Sequence, residues 1–454
     1  PDPGTQAPVS MILPTPFKDQ MKALLGAELS DFETAMNAKP PVSVRINPFK
    51  SEHSLPLAGP VPWCKDAFYL TERPIFTVDP FFHAGHYYVQ EASSMYLDSI
   101  LKQLNISKAA TVLDLCAAPG GKSTLIQSHL SEGGLMHSHE FDPHRASVLK
   151  QNLERWGQAN TLITKGRLDQ LPFSTMRYDL ILIDAPCSGE GMFRKEPAAL
   201  RQWSPKKVQQ CTAMQKSILE TAHQLCKPNG YIIYSTCTYN TLENEQIVQA
   251  LLSSQKYQGI HLTDDLNWIR SHQLDCTYRF YPHRTAGEGF TFSVIQKQDK
   301  SLHETADFKK SNTLLKTVSM DLTGWIEDPS DYSTTAHQDQ LLAFPTRHME
   351  SVQWLHQSGI KVQGGIPIGT FKGKDFFPAH GLALSIHLHS SIARQQLDEK
   401  EALDYLRALS PITESDIRTT WFVAAYRSAR LGWLKRAGHQ IKNYFPKNQR
   451  IISY

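Results

Sequence analysis

The stretch "ATVLDLCAAPGGKSTLIQ", residues 110–127, joins an apolar run to a glycine-rich turn and then to a helix start. The run at 110–115 has the length and apolar content of a buried strand. Gly120 and Gly121 let the backbone approach a ligand closely, and a helix predicted to begin near Ser123 offers unpaired N–H groups. We therefore predict a ligand-binding loop at one edge of a sheet.

Strand-like and helix-like segments alternate after this unit. Strands that alternate with helices form a parallel, doubly wound sheet. The near-continuous apolar run "YDLILID" suits the buried centre of such a sheet. These segments predict an α/β fold; the strands are expected at 134–141, 161–164, 178–184, 230–236 and 289–296, and a helix at 144–157.

The chain has 454 residues, which is long enough for two to four domains. A helical pattern from Phe17 to Met36 precedes the short strand-like pieces "VSVRIN" and "AFYLTE", which predicts a small N-terminal α+β domain. We leave the first ten residues out of this reasoning. The expected divisions are an N-terminal domain at 11–98, a catalytic domain at 99–298, a polar linker at 299–320, a first C-terminal module at 321–392 and a second at 393–454.

The composition is typical of a soluble globular protein, with 41% hydrophobic and 20% charged residues. No apolar run approaches the ~18 residues of a membrane helix, and no N-terminal stretch has the pattern of a secretory signal. Seven cysteines without a CxxC pair argue against a zinc cluster and a disulfide framework. We expect free thiols in a reducing, cytoplasmic protein without a metal or a membrane.

The glycine-rich loop lacks the Walker A pattern, because Cys116 stands where a glycine is needed, and it lacks GxGxxG. Glu140 ends the second predicted strand, 20 residues after Gly120, where an acid commonly binds a ribose. Alone it would be a solvated loop acid; with the loop it predicts a nucleoside-bearing cofactor. His137, His139 and His144 are interpreted as solvated or locally bonded residues rather than metal ligands.

A second loop, "DAPCSGEGMFRKEP" at 184–197, follows the strand that ends in Asp184. Its proline and glycines predict an irregular loop at the edge where doubly wound sheets bind ligands, so Cys187 is expected in the site. A reactive thiol needs electropositive surroundings. We expect Arg194 and Lys195 to supply part of that charge and to hold phosphates.

A third segment, "YSTCTYNTLENEQIV" at 234–248, places Cys237 after the fifth strand of the sheet. Asn240 and Glu243 resemble a capping box for the helix beyond. A lone cysteine here would be interpreted as buried packing, but two thiols at the same sheet edge favour chemistry. The remaining cysteines outside the glycine-rich loop are expected to be structural: Cys64, Cys211, Cys226 and Cys276.

A thiolate that attacks carbon 6 of a pyrimidine makes carbon 5 nucleophilic. Carbon 5 can then take a methyl group from S-adenosylmethionine, which leaves S-adenosylhomocysteine. Asp184 is placed to neutralise charge on the ring if it is protonated or relays a proton, and the second thiol can help to remove the carbon 5 proton. The residues permit a cytosine carbon-5 methyl transfer without establishing it.

The segments "DLCAAPGGK", "DAPCSGEG", "RKEP", "STCT" and "ENE" together resemble the Nol/Nop/Sun-type RNA 5-methylcytosine methyltransferases, in order and spacing across 110–296. "RFYPHRTAGEGF" at 279–290 is similar to a late motif of this family, and "PVSVRINP" at 41–48 to its preceding small domain. The stretches 365–385 and 431–451 resemble the PUA-like RNA-binding end of the RsmF branch. The resemblance covers nearly the whole chain.

This resemblance implies a Rossmann-like S-adenosylmethionine-dependent methyltransferase core with an N-terminal α+β domain and C-terminal α+β, PUA-like modules. Glu140 would bind the ribose, and Asp184 would lie between cofactor and cytosine with Lys122 nearby. Cys237 would be the nucleophile and Cys187 would assist product release. The cofactor would be held by Cys116, Ala117, Ala118, Pro119, Gly120, Gly121, Lys122, Glu140 and Asp184.

Two details refine the implied substrate and cofactor contacts. DNA enzymes use the cysteine of a Pro-Cys motif and the RNA family that of a Thr-Cys motif; both occur here, which indicates RNA. The family's acid after the third strand is replaced by Gly166 and Arg167, with Asp169 offset, so a backbone amide is expected to replace that acid.

The segment from Ile417 to Tyr454 carries many cations and neither Asp nor Glu, which is typical of a polyanion-binding surface. Trp433, Tyr444 and Phe445 interleave with these cations; Trp433 is expected in the core. The predicted function is methylation of carbon 5 of a cytidine in rRNA of the small subunit (16S) by a monomer. The alternatives are a tRNA methyltransferase and a non-catalytic rRNA-binding assembly factor. The expected RNA contacts are Arg194, Lys195, Arg284, Lys435, Arg436, Lys442 and Lys447.

Overall fold

A computed structural model gives the fold of most of the chain. No helix in the part that it describes is long and apolar enough to span a membrane. Asp169 and most of the predicted linker at 299–320 lie outside the described residues. The structure describes residues 11–50, 52–168, 171, 177–263, 269–299, 318–410, 412 and 415–452.

The N-terminal part confirms the predicted mixture of helices and short strands. Each of the first two helices buries one face, as the helical spacing of its apolar residues requires. Phe17 and Met21 are buried on the first helix, and Phe32 and Met36 on the second. The four strands form an antiparallel sheet in the order β2-β3-β1-β4. The elements are α1 Thr15–Leu25, α2 Leu29–Asn37, β1 Ser43–Ile46, β2 Leu57–Pro60, β3 Ala67–Leu70, α3 Pro80–His83, β4 Tyr87–Val89 and α4 Leu97–Gln103.

The middle of the chain forms one large sheet, and the five predicted parallel strands are confirmed at its centre. They are β5 Thr111–Asp114, β6 Leu135–Glu140, β7 Thr161–Lys165, β8 Tyr178–Asp184 and β9 Cys226–Thr236. Their order across the sheet is β7-β6-β5-β8-β9. The connecting helices are α5 Gly121–His129, α6 Pro143–Trp156, α7 Pro197–Gln202 and α8 Pro205–Leu225.

Antiparallel strands extend the sheet beyond β9. The late strand predicted from its alternating pattern pairs with β9 over six residue positions. In the described residues, this edge consists of α9 Glu245–Leu252, β10 Tyr257–Gly259, β11 Ile269–Arg270, β12 Thr277–Phe280 and β13 Phe290–Lys297.

The register of the central strands positions the functional residues. Leu180, Ile181, Leu182 and Ile183 of β8 are fully buried because the sheet is covered on both faces. Asp184, which ends the strand, pairs with Ser235 of β9. The carboxyl ends of β5, β8 and β9 therefore meet at one edge, where ligands bind in such sheets.

The C-terminal part forms two further four-stranded sheets, in agreement with the expected α+β modules. Their orders are β14-β15-β17-β18 and β19-β20-β21-β22. The elements are β14 Tyr332–His337, β15 Gln340–Pro345, α10 Met349–Gln357, β16 Gln363–Gly364, β17 Ile366–Lys372, β18 Asp375–Pro378, α11 His380–Leu384, β19 Arg394–Gln396, α12 Glu399–Leu406, β20 Trp421–Tyr426, β21 Ala429–Ala437 and β22 Gln440–Asn443.

The C-terminal modules are integrated with the rest of the molecule. Strand β16 adds to the free edge of the central sheet by pairing with β7. Phe81 and Tyr87 of the N-terminal part share one apolar core with Tyr405 and Phe422 of the last module. Trp433 is buried, as predicted.

Candidate active site

The loop between β5 and α5 is held from two neighbouring elements. Gly120 has a φ of +108°, a left-handed conformation that favours glycine. The N–H of Ala118 donates to Glu140 Oε2 at 3.1 Å, and Asn152 Nδ2 donates to the carbonyl oxygen of Pro119 at 2.7 Å. β6 and α6 thus fix the shape of the glycine-rich loop.

A cavity of about 350 Å³ opens beside this loop. Glu140 is buried in its wall, with Oε1 accepting from the N–H of Asp142 at 3.0 Å and Oε2 from Ala118. Each carboxylate oxygen keeps a lone pair for a ribose hydroxyl. Burial raises the pKa of Cys116 well above its usual range, so this thiol lines the wall in its neutral form. Met214 and Ile218 of α8 add apolar surface, and the whole fits a nucleoside.

The segment just after β7, where the resemblance leads us to expect an acid, also lies in the wall of this cavity. Arg167 and Leu168, just after β7, line the cavity. The N–H of Gly166 donates to the backbone oxygen of Glu140 at 3.1 Å, so this amide is already used within the protein. The Gly166 amide therefore does not take the place of the missing acid.

Asp184 and Lys122 form an ion pair at the open end of the site. Lys122 Nζ lies 2.8 Å from Asp184 Oδ2, and Ser235 Oγ donates to Asp184 Oδ1 at 3.0 Å. The Asp184 side chain is 33% exposed and that of Lys122 only 12%. The ammonium also lies 4.6 Å from the ring centre of Phe290. The carboxylate is thus held in a fixed direction while one side of it faces open space.

Asp114, at the end of β5, is a second acid behind this pair. Burial raises its pKa to about 7, and the negative charge of Asp184 adds to the effect. Ser123 Oγ donates to Asp114 Oδ2 at 2.7 Å. Asp114 lies within the strand predicted at 110–115, but the local sequence pattern does not indicate that its side chain is almost fully buried.

The two loop thiols meet directly. Cys187 Sγ and Cys237 Sγ are 3.1 Å apart, and both residues are half-buried and free of disulfides. The hydrogen bond to Cys237, with burial, raises the pKa of Cys187 well above its usual range. Either sulfur can donate this hydrogen bond, and the raised pKa of Cys187 favours the protonated form of that thiol. The structure thus brings the two thiols predicted at this sheet edge into direct contact.

Two buried glutamates, Glu190 and Glu243, tie the two cysteine loops together, and we call them the glutamate clasp. Glu190 belongs to the loop of Cys187. Its Oε2 accepts the N–H groups of Tyr239 at 2.8 Å and Asn240 at 3.0 Å, both from the loop of Cys237. One loop thus fixes the backbone of the other.

Glu243 makes the reciprocal contact from the loop of Cys237. It accepts the N–H of Ser188 at 2.9 Å, its Oγ–H at 2.5 Å, and Gln215 Nε2 at 3.0 Å. The predicted capping box is wrong: Asn240 and Glu243 do bond reciprocally, but α9 begins at Glu245 with Asn244 as its N-cap. Glu243 therefore accepts hydrogen bonds from the loop of Cys187 and does not cap a helix.

Three cations predicted to bind RNA near the site have acidic partners instead. Arg194 is buried, with Nη2 3.0 Å from Glu288 Oε1, and it donates to two backbone carbonyls. Lys195 lies 3.6 Å from the same carboxylate, and Arg284 pairs with Glu28. The prediction is wrong for Arg194, which supports the fold rather than the charge around Cys187, because a buried acid nearby requires its guanidinium.

The C-terminal cations fall into two groups. Lys442 and Lys447 are exposed. Arg436 donates to the carbonyl oxygens of Ile417 and Ser415 at 2.9 and 2.6 Å, so its guanidinium is occupied. Lys435 lies over the rings of Phe377 and Trp421, 4.5 and 5.1 Å from their centres. Lys442 and Lys447 are thus the two of these four that present an open charge.

Two of the three histidines that were expected to be solvated or locally bonded have rings that bond within the protein. His137 bonds to Thr164 Oγ1 at 2.7 Å and to Tyr178 at 2.5 Å, and His139 shares the same threonine. Burial lowers the pKa of His137 to about 3, so it stays neutral. Among the described residues there is no group of three or more side chains that could hold a metal ion.

The strand order β7-β6-β5-β8-β9 with antiparallel β13 beyond it is that of a Rossmann-like methyltransferase. A solved methyltransferase homologue from Pyrococcus horikoshii is 27% identical with a TM-score of 0.53, over 62% of this chain and 94% of that one. Curated relatives named ribosomal RNA small subunit methyltransferase F are similar over 96% of this chain: the protein of Erwinia tasmaniensis is 28% identical over 96% of its length, and that of Shewanella frigidimarina 29% over 97%.

Three family models match successive parts of the chain. They are the N-terminal domain of 16S rRNA methyltransferase RsmF at 13–92, 16S rRNA methyltransferase RsmB/F at 101–296, and the methyltransferase RsmF PUA domain at 394–451. Together they cover most of the chain in the order that a single family requires. The chain belongs to the RsmF family of methyltransferases.

Proposed function

We propose that this protein methylates carbon 5 of a cytidine in small-subunit ribosomal RNA, with S-adenosylmethionine as methyl donor. The observation that carries the proposal is the thiol pair, 3.1 Å apart, at the same sheet edge as the ion pair of Asp184 and Lys122. The relatives' names supply the substrate class.

The methyl donor supplies an electrophilic methyl group, and S-adenosylhomocysteine remains. Glu140 holds the ribose through the free lone pairs of its carboxylate. Gly120 and Gly121 let the start of α5 approach the ligand, and N–H groups at a helix start favour a carboxylate. Cys116 and the side chains of α8 enclose the adenine base of the methyl donor.

Cys237 performs the attack on the cytosine. Its thiolate bonds to carbon 6, and the electron pair of the carbon 5–carbon 6 double bond becomes available at carbon 5 for the methyl group. The negative charge that develops on the ring nitrogens is neutralised by a proton, which the carboxyl group of Asp184 relays from Lys122 Nζ.

Product release requires loss of the carbon 5 proton. Cys187 gives its own proton to the departing Cys237 Sγ and takes up the carbon 5 proton; the electron pair of that C–H bond restores the double bond, and the bond between carbon 6 and Cys237 Sγ breaks. Cys187 lies within hydrogen-bond distance of Cys237 Sγ and is the group placed to assist this step.

The proposed division of labour follows the expected domains. Residues 99–298 carry the chemistry, 11–98 lead in to it, and the module at 393–454, which follows the one at 321–392, binds RNA through Lys442 and Lys447. The target cytosine has to leave its stack to reach Cys237. Such a substrate would place the protein in the cytoplasm, as the free thiols led us to expect.

The test is methylation of three candidate RNAs: protein-free 16S rRNA, assembled small subunits and total tRNA. We expect label from S-adenosylmethionine in ribosomal RNA, and bisulfite sequencing should show one protected cytidine. Cys237→Ala should abolish the label. Cys187→Ala should leave an RNA–protein adduct that survives a denaturing gel.

Each other outcome has a defined meaning. Label in tRNA alone would replace the substrate and keep the chemistry. Full activity of Cys237→Ala together with no adduct from Cys187→Ala would refute the assigned roles. Cys64→Ala is the matched control, since Cys64 is a free thiol in the loop between β2 and β3, outside the two cysteine loops, and its loss should leave methylation unchanged.

A further inference from the structure

A groove of about 720 Å³ lies between the N-terminal sheet and α6, and we call it the α6 groove. Its lining includes Arg73, Phe76, Phe82, Tyr88, Val148 and Arg155. Its volume is about twice that of the cofactor cavity. The reaction described above makes no use of it.

The α6 groove combines aromatic rings with positive charge. Arg155 lies over the ring of Phe82 at 4.6 Å, and Arg73 lies over the ring of Phe76 at 5.5 Å. Its lining, all of it in described residues, includes neither Asp nor Glu. A surface of rings and guanidinium groups without carboxylates is complementary to a base and its phosphate.

Apolar side chains at the rim of the groove are exposed. Ile75 is 59% exposed and Val148 is 46% exposed. A single exposed apolar residue is ordinary, but two beside an open, ring-lined groove indicate a surface that a ligand covers. Arg73 is exposed beside them and can reach a phosphate at the mouth.

The floor of the α6 groove is the back of the cofactor loop. Asn152, which lines the groove, donates to the carbonyl oxygen of Pro119 at 2.7 Å. The Tyr88 ring lies 3.2 Å from the place where a β-carbon on Gly121 would stand. Arg145, three residues before Val148 on α6, lines the cofactor cavity. The groove and the cofactor cavity therefore flank the same helix.

We infer that the α6 groove binds one unpaired nucleotide of the RNA substrate, with its base against the aromatic wall and its phosphate at Arg73. The inference rests on the proposed function. A cytosine drawn out of its stack leaves neighbouring nucleotides unstacked as well. A groove beside the cofactor loop gives one of them a replacement for the lost stacking.

Two variants test the inference in the full-length protein. Arg73→Gln removes the phosphate contact, and Val148→Asp places a carboxylate at the exposed rim. The probe is a fragment of 16S rRNA centred on the cytidine that bisulfite sequencing identifies. Each variant should weaken binding of this fragment by about tenfold, because a phosphate contact or a stacked base is lost.

Affinity for S-adenosylhomocysteine, measured by calorimetry, should stay unchanged in both variants, and KM for RNA should rise more than kcat falls. The matched control is Arg270→Gln, an exposed arginine on β11 at the opposite edge of the sheet, which should bind RNA as the wild type does. Fragments carrying 4-thiouridine next to the target should cross-link to peptides that contain residues 73–77 or 85–89.

The outcomes separate the two proposals. If the wild type methylates ribosomal RNA while both variants bind it normally, or the cross-links fall only elsewhere, the inference about the groove is overturned and the proposed function stands. If the wild type neither binds nor methylates ribosomal RNA, the proposed function fails and the groove assignment fails with it.

Discussion

Cys187 Sγ and Cys237 Sγ lie 3.1 Å apart across 50 positions of sequence. A disulfide has an S–S length of about 2.05 Å, so the two sulfurs need to approach by only about 1 Å to form one. The closeness that suits the proposed reaction also makes the pair sensitive to oxidation.

Diamide should therefore join Cys187 to Cys237 and stop methylation. The two thiols lose two hydrogens, which diamide takes up, and one S–S bond forms. Thiol alkylation followed by peptide mass analysis measures the loss of both free thiols, and dithiothreitol should restore them with the activity. Cys64, a buried thiol in the loop between β2 and β3, should stay reduced; oxidation there with an intact Cys187–Cys237 pair would contradict the prediction.

Glu243→Gln should loosen the glutamate clasp. The carboxylate accepts donors from Ser188 and Gln215, and a glutamine would point an amide N–H at one of them. A buried donor left without an acceptor costs about 1–3 kcal/mol of the free energy of unfolding. Urea unfolding measures the loss, and kcat should fall because both cysteine loops shift.

The control for this change is Glu132→Gln, because the Glu132 side chain is 73% exposed. Its free energy of unfolding should stay within about 0.5 kcal/mol of the wild type. Equal stability of the two variants would mean that the clasp does not hold the loops.

Asp114→Asn should change how stability depends on pH. Burial raises the folded-state pKa of Asp114 to about 7, above the usual range of an aspartate, so the fold favours the neutral form. Its stabilising contribution is complete below about pH 4 and is lost as pH rises through 7. The wild type should thus lose up to about 4 kcal/mol more than Asp114→Asn over this range.

Urea unfolding of both proteins at pH 4.5 and pH 8 measures that difference. The asparagine can still accept the hydrogen bond from Ser123, so the comparison isolates the charge. Parallel pH profiles of the two proteins would show that Asp114 titrates in its usual range.

Arg194→Met and Lys442→Met should affect different properties. Removing Arg194 takes away the hydrogen-bonded cation of the buried Glu288 and leaves only Lys195 at 3.6 Å, which costs up to about 3–5 kcal/mol of the free energy of unfolding. Lys442 is exposed, so its loss should leave stability unchanged and reduce the salt dependence of RNA binding by about one ion.

The measurements are urea unfolding and RNA affinity at several salt concentrations. An Arg194→Met protein that keeps its stability but loses salt dependence would restore the original prediction for this residue.

Much of the catalytic fold could be predicted because its signals are local. The runs that became β5 to β9 are apolar enough to be buried on both faces, and each is followed by a turn. Asp184 and Cys237 could be placed at one edge because parallel strands end together. The glycine-rich loop follows β5 and is expected at the same edge for the same reason.

What could not be predicted depends on contacts between distant residues. Glu243 follows Asn240 at the spacing of a capping box, and only the packing of the two loops turned it towards Ser188. Arg194 occupies a basic stretch beside a thiol, but its partner Glu288 is 94 positions away. The α6 groove is assembled from parts of the chain that local patterns cannot bring together.

The two ends of the chain complete each other's packing, and this sets an order for folding during synthesis. Phe81 and Tyr87 lack the C-terminal half of their core until residues from 397 onward have been made, and β7 keeps an open edge until β16 appears. At roughly 5–20 residues per second, the delay for the N-terminal core is tens of seconds. Throughout that time the nascent chain exposes apolar surface and a strand edge that invite wrong pairing, so ribosome-bound chaperones would be expected to engage it before its last module emerges.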